Sequence, residues 1–286
     1  AYALNNLAGV YLRRGRLDEA GKLFEQALAI RREQGDKSGE AYALDNLGVA
    51  LRRRGDLAGA RQRHDLALRL RKETGQRIGE VSSLNNLGTL FLDLGDLAAA
   101  RKSFETSLAT CRETGSQSSM AYALFGLGEV LAREGKLEEA RKSHEEALAL
   151  REKLGEKGTA AESRLALAIL SLEKGDRAKA VELAGQAAAE LERQGSTDGQ
   201  ALALAVAGQG REALALLEGS QDLRARLNVQ LRTASSRKIL EEVLDQATRA
   251  GFTEIRLEAG LALGHPAVEK EAREKGYLRI AGKAAA

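Results

Sequence analysis

Apolar residues recur along the first units of the chain at helical spacing, in two runs separated by a glycine. In the first unit, Leu4, Leu7 and Tyr11 would share one face of a helix. A second run begins at Leu17 and keeps the same spacing to Leu28. The intervening glycine stands where a helix ends with a positive φ angle. The pattern therefore predicts two helices in each unit, each too short to be stable alone in water.

The same unit occurs five times at a fixed period. Each copy has a glycine at its fifteenth and at its thirty-fifth residue, and the copies begin at Ala1, Ala41, Val81, Ala121 and Ala161. A fixed period of about 40 residues is typical of a solenoid, in which each unit buries its apolar faces against its neighbours. We therefore predict an all-α, right-handed α-solenoid (superhelix) of antiparallel helix pairs.

The repeat frame breaks after Gln200. The chain beyond it still contains shortened helix pairs, and its only proline, Pro266, stands at a predicted helix start, where its missing N–H costs nothing. Terminal units of a solenoid are usually atypical. We therefore expect residues 1–200 to form five regular 40-residue repeats. Residues 201–286 should form divergent helix pairs that cap the C-terminal end of the same array.

The signature positions of the unit resemble those of the tetratricopeptide repeat. They are Leu7, Ala8 (Gly48 in the second unit), Tyr11, Ala20, Phe24 and Ala27. The usual unit has about 34 residues and a proline near its end, whereas this chain has Arg32, Lys72 and Arg112 at that place. The longer form resembles the repeats of kinesin light chains and of bacterial signalling proteins. The resemblance covers residues 1–195 and implies a scaffold for protein–protein interaction.

Composition and charge exclude several other classes of protein. A net charge of +3 is close to neutral for 286 residues and gives no electrostatic case for nucleic-acid binding. The single cysteine, Cys111, excludes an intrachain disulfide and fits a reducing cytoplasm. The sequence has no long apolar run and no signal peptide, so we expect a cytoplasmic protein without membrane contact. The chain begins without Met and in full repeat register, which suggests a fragment of a longer protein.

No motif in the sequence indicates catalysis. It contains no phosphate-binding loop, no HExxH and no CxxC pair. His64 and His144 take the place that Phe24 and Phe104 have in other units, and we interpret them as packing residues rather than as a metal site. We therefore expect no enzymatic activity and no cofactor.

Polar residues on the first helix of each unit are the candidate binding residues. At about 100° per residue, positions 2, 5, 6, 9, 12 and 13 of the unit lie opposite the core face formed by positions 4, 7 and 11. A column of asparagine amides can donate to and accept from the backbone of an extended peptide. Arginines would favour an acidic or carboxylate-terminated partner, and tyrosines offer apolar contact with a polar tip. The candidate peptide-binding residues are Asn5, Asn6, Asn46, Asn85, Asn86, Arg13, Arg53, Arg133, Tyr42 and Tyr122.

The resemblance gives these residues a place in a known architecture. In a tetratricopeptide superhelix this face lines the concave groove, and groove asparagines of kinesin light chains and bacterial peptide-sensing relatives hold peptide backbones. The resemblance therefore points first to Asn6, Asn46 and Asn86 and then to Asn5 and Asn85, and it does not extend to the fourth and fifth units.

Other interpretations of the array stay open. The asparagines could instead brace neighbouring repeats, and that role is compatible with peptide binding. The array could also be a regulatory or sensor module that contacts upstream domains of a larger bacterial signalling protein. A third alternative is a homo-oligomerising structural array.

Overall fold

The computed structural model describes residues 1–284, and this part of the chain contains seventeen helices and no strand. The first ten helices form five consecutive pairs. These are α1 (Tyr2–Arg13) with α2 (Leu17–Glu33), α3 (Lys37–Arg54) with α4 (Leu57–Glu73), α5 (Arg77–Leu94) with α6 (Leu97–Thr114), α7 (Gln117–Arg133) with α8 (Leu137–Lys153), and α9 (Lys157–Glu173) with α10 (Arg177–Arg193). We call the first member of each pair the leading helix and the second the trailing helix.

Seven shorter helices follow the five pairs. They are α11 (Thr197–Val206), α12 (Gly210–Leu216), α13 (Leu223–Thr233), α14 (Arg237–Ala250), α15 (Thr253–Ala262), α16 (Val268–Glu274) and α17 (Leu278–Ala284). Consecutive helices contact one another along the chain. The predicted all-α solenoid of helix pairs is therefore confirmed.

Local sequence explains why each pair turns where it does. Gly55 ends α3 with φ of 94°, a left-handed conformation in which a residue with a Cβ would be strained. Asp56 follows at once and accepts a hydrogen bond from the backbone N–H of Gly59 at 2.8 Å, which caps the start of α4. Asp96 does the same at the start of α6. A glycine that stops one helix and an acceptor that starts the next together fix the hairpin.

The apolar core surrounds each trailing helix, which packs between its own leading helix and the leading helix of the next pair. Leu47 of α3 packs with Phe24 and Ala20 of α2 in one buried cluster, and Phe24 is 1% exposed. Leu7 holds the same position in the first unit but is 44% exposed, because no described pair lies before α1. Stacking of neighbouring units, rather than packing within one pair, therefore buries the signature leucines.

The last seven helices form a second layer that lies against the five pairs, which we call the first layer. Three leading helices of the first layer meet helices of the second layer end to end. Helix α13 contacts α3, α15 contacts α5, and α17 contacts α7. At the end of α5, Thr253 Oγ1 donates to the Leu94 carbonyl at 2.9 Å, and Tyr277 Oη donates to the Leu92 carbonyl of the same helix at 3.1 Å. The division of the chain near residue 200 stays a prediction, and the sequence did not predict contact between its two parts.

Apolar residues also join the two layers. Leu90 of the first layer shares a buried cluster with Val243 and Phe252 of the second. A neighbouring cluster joins Phe104 to Tyr277, which is fully buried. The second layer is therefore part of the same core as the first.

Candidate binding groove

The asparagines at position 6 of the unit are available to a partner. Asn6 is exposed, and Asn46 and Asn86 are half-buried on successive leading helices. Within residues 1–284 their side-chain amides make no hydrogen bond to the rest of the chain. Tyr42 and Tyr122, at position 2, are 53% and 42% exposed. We call the surface formed by positions 2 and 6 of the leading helices the groove.

Position 5 does not face the groove, and this corrects the expected helix face. Asn5 and Asn85 are 6% and 4% exposed. Positions 1, 5 and 8 follow the i, i+4, i+7 spacing of a single helix face, and in the second unit this face consists of the buried Ala41, Asp45 and Gly48. Asn85 Nδ2 instead donates to the Ser119 carbonyl at 3.4 Å, which links α5 to the start of α7. Asn85 therefore braces neighbouring repeats, the alternative role that the sequence left open.

A buried polar cluster surrounds Asp45. Asp45 Oδ1 lies 2.8 Å from Nδ1 of His64, and Oδ2 lies 2.5 Å from Nη1 of Arg71. The hydroxyl of Ser83 donates to the same Oδ2 at 2.8 Å. All four side chains are buried, so one carboxylate satisfies three polar groups inside the core. The sequence analysis missed this role of Asp45 because it placed position 5 on the groove.

The fourth unit has an aromatic ring in place of that carboxylate. Phe125 occupies the position of Asp45, and its ring centre lies 4.8 Å from the guanidinium carbon of Arg151. The ring of Tyr122 lies 5.4 Å from the same carbon. Arg151 Nη1 donates to the Thr159 carbonyl and to the Ser163 hydroxyl, each at 2.8 Å. Burial lowers the pKa of Arg151, although the charge of the neighbouring Glu162 opposes this effect.

Histidine at position 24 of the unit packs in the core, as the sequence analysis expected. His144 is 1% exposed and lies edge-on to Phe125, with ring centres 5.0 Å apart. Burial lowers the pKa of His144, although the carboxylate of Glu129 partly offsets that effect. Within residues 1–284, no group of three or more His, Cys, Asp or Glu side chains is placed to hold a metal ion.

Two of the three candidate arginines already contact carboxylates of the chain itself. Arg53 Nε lies 2.5 Å from Asp222, Nη2 contacts Asp198, and Nη1 donates to the Leu12 carbonyl at 2.6 Å. Arg133 is 4% exposed and is held by Glu129 at 2.8 Å and by Glu254 at 2.5 Å. The expectation that they wait for an acidic partner is therefore corrected, because both arginines hold structure together. Arg13 alone of the three is exposed.

Arg53 and Arg133 lie where the two layers meet, a surface that we call the seam. The seam contains further ion pairs. Asp93, at the same unit position as Arg53, contacts Arg52 and Arg224 at 2.7 Å each. Burial alone would raise the pKa of Asp93, but the two guanidinium groups lower it below its ordinary value. Burial and the nearby Asp222 raise the pKa of Asp198 to about 6. In the sequence, the seam was indicated by the alternation of arginine and aspartate at position 13 of the unit. The sequence analysis instead interpreted position 13 as part of the groove.

The described chain contains no helix that combines the length and the apolar character needed to cross a membrane. Cys111 is a free thiol, and it is fully buried.

Stacked helix pairs with a polar groove on their leading helices define an α-solenoid of the helical-repeat class. The tetratricopeptide repeat family model matches residues 1–73, 41–113 and 119–189, together more than half of the chain. The chain therefore belongs to the tetratricopeptide repeat family, as the signature positions indicated. A comparison with curated protein sequences gives no significant match.

Solved structures share the fold over almost the whole chain. The Rap conjugation gene regulator of the plasmid pLS20, in complex with the Phr* peptide, has a TM-score of 0.69 and 16% identity, covering 99% of this chain and 75% of that one. A Rap protein complexed with competence and sporulation factor has a TM-score of 0.68 and 16% identity, with coverage of 96% and 76%. Aspartyl phosphate phosphatase F from Bacillus subtilis has a TM-score of 0.61 and 17% identity, with coverage of 87% and 70%.

Proposed function

We propose that the chain is a non-enzymatic scaffold that binds a protein or peptide partner in its groove. The observation that carries the proposal is the column of unbonded amides of Asn6, Asn46 and Asn86, which recur at one position of three successive leading helices. Two of the similar structures are complexes, one with the Phr* peptide and one with competence and sporulation factor. A protein of this fold can therefore accommodate such a partner.

The chemistry of the column fits an extended backbone. Each amide can donate to a carbonyl and accept from an N–H, whatever side chains the partner has. A net hydrogen bond contributes about 1 kcal/mol, so three amides would account for an affinity change on the order of 100-fold. Tyr42, Tyr122 and Arg13 are exposed on the same helices and would add apolar and ionic contacts. The proposed binding set excludes four candidate residues that are buried or engaged within the chain, namely Asn5, Asn85, Arg53 and Arg133.

We test the groove by capturing partners from a bacterial lysate with the wild type and with the triple variant Asn6→Ala, Asn46→Ala, Asn86→Ala. The matched control is Gln26→Ala with Gln62→Ala, which removes exposed amides from trailing helices. Circular dichroism should give the same helical content for all three proteins. A partner that the triple variant alone loses supports the proposal, and titration calorimetry should then show the loss of about 100-fold in affinity.

Retention of every partner by the triple variant would contradict binding through the asparagines. Light scattering on the purified wild type separates the scaffold from a homo-oligomerising array, since the scaffold should elute as a monomer.

A further inference from the structure

The chain contains two copies of one arginine site, and only one copy holds a carboxylate. Arg71 and Ser83 of the second and third units correspond to Arg151 and Ser163 of the fourth and fifth, 80 residues further on. At the first site, Asp45 supplies a carboxylate to both groups, at 2.5 Å from Arg71 Nη1 and 2.8 Å from Ser83 Oγ. The charge of Arg71 is therefore neutralised through Nη1 by this carboxylate group, and the Nε and Nη2 atoms of Arg71 make no hydrogen bond within residues 1–284.

The second site lacks that group. Arg151 is 1% exposed, and its Nε and Nη2 atoms have no hydrogen-bond partner within the described residues. Its only hydrogen bonds come from Nη1, to the Thr159 carbonyl and the Ser163 hydroxyl. A buried guanidinium without an anionic partner is costly, because its charge is removed from water without compensation. The site is therefore incomplete without an anion.

The unbonded atoms of Arg151 have the geometry that a carboxylate needs. Nε and Nη2 form one edge of the planar guanidinium, and two parallel N–H groups on such an edge bind both oxygens of a carboxylate. The Thr159 and Ser163 contacts hold the opposite part of the group, so this edge has a fixed direction. No other polar atom of residues 1–284 lies on it.

An exposed groove residue contacts Arg151. The ring centre of Tyr122 lies 5.4 Å from the guanidinium carbon, and Tyr122 is 42% exposed. A ligand that occupies the groove at Tyr122 would therefore lie beside Arg151. Glu162, at the corresponding position of the next unit, is exposed, and its charge acts on Arg151 without contacting it.

We propose that Arg151, held by Thr159 and Ser163 and contacted by Tyr122, is a binding site for a carboxylate group of a ligand. The site takes its anion from outside the chain, where the second unit supplies Asp45 from within. It goes beyond the scaffold function, because it names the chemical group that is bound, and it stands even where the groove asparagines bind nothing.

The test is a thermal unfolding series with acetate and succinate as probes, each compared with chloride at matched ionic strength. At about 100 mM carboxylate, the wild type should gain about 2–4 °C in melting temperature. The key variant is Phe125→Asp, which places a carboxylate where the second unit has Asp45. This variant should fold and should lose the acetate-induced gain. Glu162→Gln should enlarge the gain, because it removes a competing negative charge.

Three short peptides then identify the source of the carboxylate. One has alanines and a free C-terminus, one has the same alanines and an amidated C-terminus, and one is amidated but contains glutamate. Stabilisation by the first or the third, but not by the second, supports the proposal and assigns the carboxylate to a chain end or to a side chain. An equal shift in wild type and Phe125→Asp, or no shift with any carboxylate in wild type, would overturn it.

Discussion

The second and fourth units each surround a buried arginine, but different side chains compensate its charge. In the second unit, the buried Arg71 makes an ion pair with Asp45 at 2.5 Å. In the fourth unit, the buried Arg151 lies 4.8 Å from the ring of Phe125 and contacts no carboxylate of the described chain. The histidine, the serine and the tyrosine around each arginine are the same residue types, at His64 and His144 for example.

The difference shows that one position decides how the buried charge is compensated. A carboxylate neutralises the arginine but needs every oxygen to be hydrogen-bonded, and the Asp45 cluster achieves this. An aromatic face attracts the cation more weakly, and Nε and Nη2 of Arg151 have no hydrogen-bond partner within the described residues. The charge of the buried arginine is therefore paired with a carboxylate in the second unit and is unpaired in the fourth.

The largest expected effect comes from removing the carboxylate of the second unit. Asp45→Ala leaves Arg71, His64 and Ser83 without their shared partner, so we expect a loss of about 3–5 kcal/mol in the free energy of unfolding. Urea denaturation followed by circular dichroism measures the loss. The control Asp65→Ala removes an exposed pair with Arg61, at 3.6 Å, and should cost at most about 0.5 kcal/mol. Similar costs for the two variants would show that the buried cluster contributes no more than a surface ion pair.

Replacing the carboxylate of the second unit by the aromatic ring of the fourth should have a smaller effect on stability. Asp45→Phe rebuilds the fourth-unit arrangement around Arg71, since Tyr42 already matches Tyr122. Cation–π contact is worth up to about 2 kcal/mol when desolvated, so this variant should be about 1–2 kcal/mol more stable than Asp45→Ala. The same urea experiment measures the difference. If Asp45→Phe is the less stable of the two variants, the aromatic ring cannot replace the carboxylate in this frame.

The histidine of the fourth unit should make stability depend on pH. Burial lowers the pKa of His144 in the folded state, so below about pH 6.5 the unfolded chain binds a proton that the folded chain does not. Stability therefore falls with falling pH, by at most about 1.4 kcal/mol per pH unit from this one group. His144→Phe should flatten the decline between about pH 7.5 and about pH 5.5. A decline as steep in His144→Phe as in the wild type would contradict the assignment to His144.

The smallest expected effect concerns the third unit, where Cys111 takes the place of the two arginines. Burial raises the pKa of the Cys111 thiol, and its side chain is fully buried. A thiol in this state is a poor nucleophile. A chromogenic disulfide reagent at neutral pH should therefore leave the folded protein unlabelled over a period that labels it completely in urea. Rapid labelling of the folded protein would show that the Cys111 thiol is accessible to the reagent, unlike the buried Arg71 cluster of the second unit.

Much of the fold followed from local sequence signals. Helix ends were predictable because Gly55 and its equivalents need a positive φ, a requirement that is fixed within a few residues. The full or partial exposure of Asn6, Asn46 and Asn86 followed from helix periodicity for the same reason. The error at Asp45 arose because positions 5 and 6 are neighbours on the helix surface, and only the close packing of Gly48 against His64 decides which one is buried.

The second layer could not be predicted from the sequence. Its position depends on the small rotation between successive units, summed over the whole array, and no single unit encodes that sum. Arg53 shows the consequence for the site. Its ion pairs were not predictable, because its partners Asp198 and Asp222 are 145 and 169 residues away in a part of the chain where the repeat frame is lost.

The end-to-end junction of the two layers has a consequence for how the chain folds. An array with only nearest-neighbour contacts can begin to fold at any unit. Here Tyr277 bonds to Leu92 and Thr253 to Leu94 across 185 and 159 residues, and contacts of such sequence separation are slow to form. The second layer can dock only after the helices beneath it are in place, so refolding should show a late, slower phase. Once the second layer has docked, every helix from α3 to α17 is linked to the others through contacts along the chain and between the layers. We therefore expect these helices to unfold together and not one unit at a time.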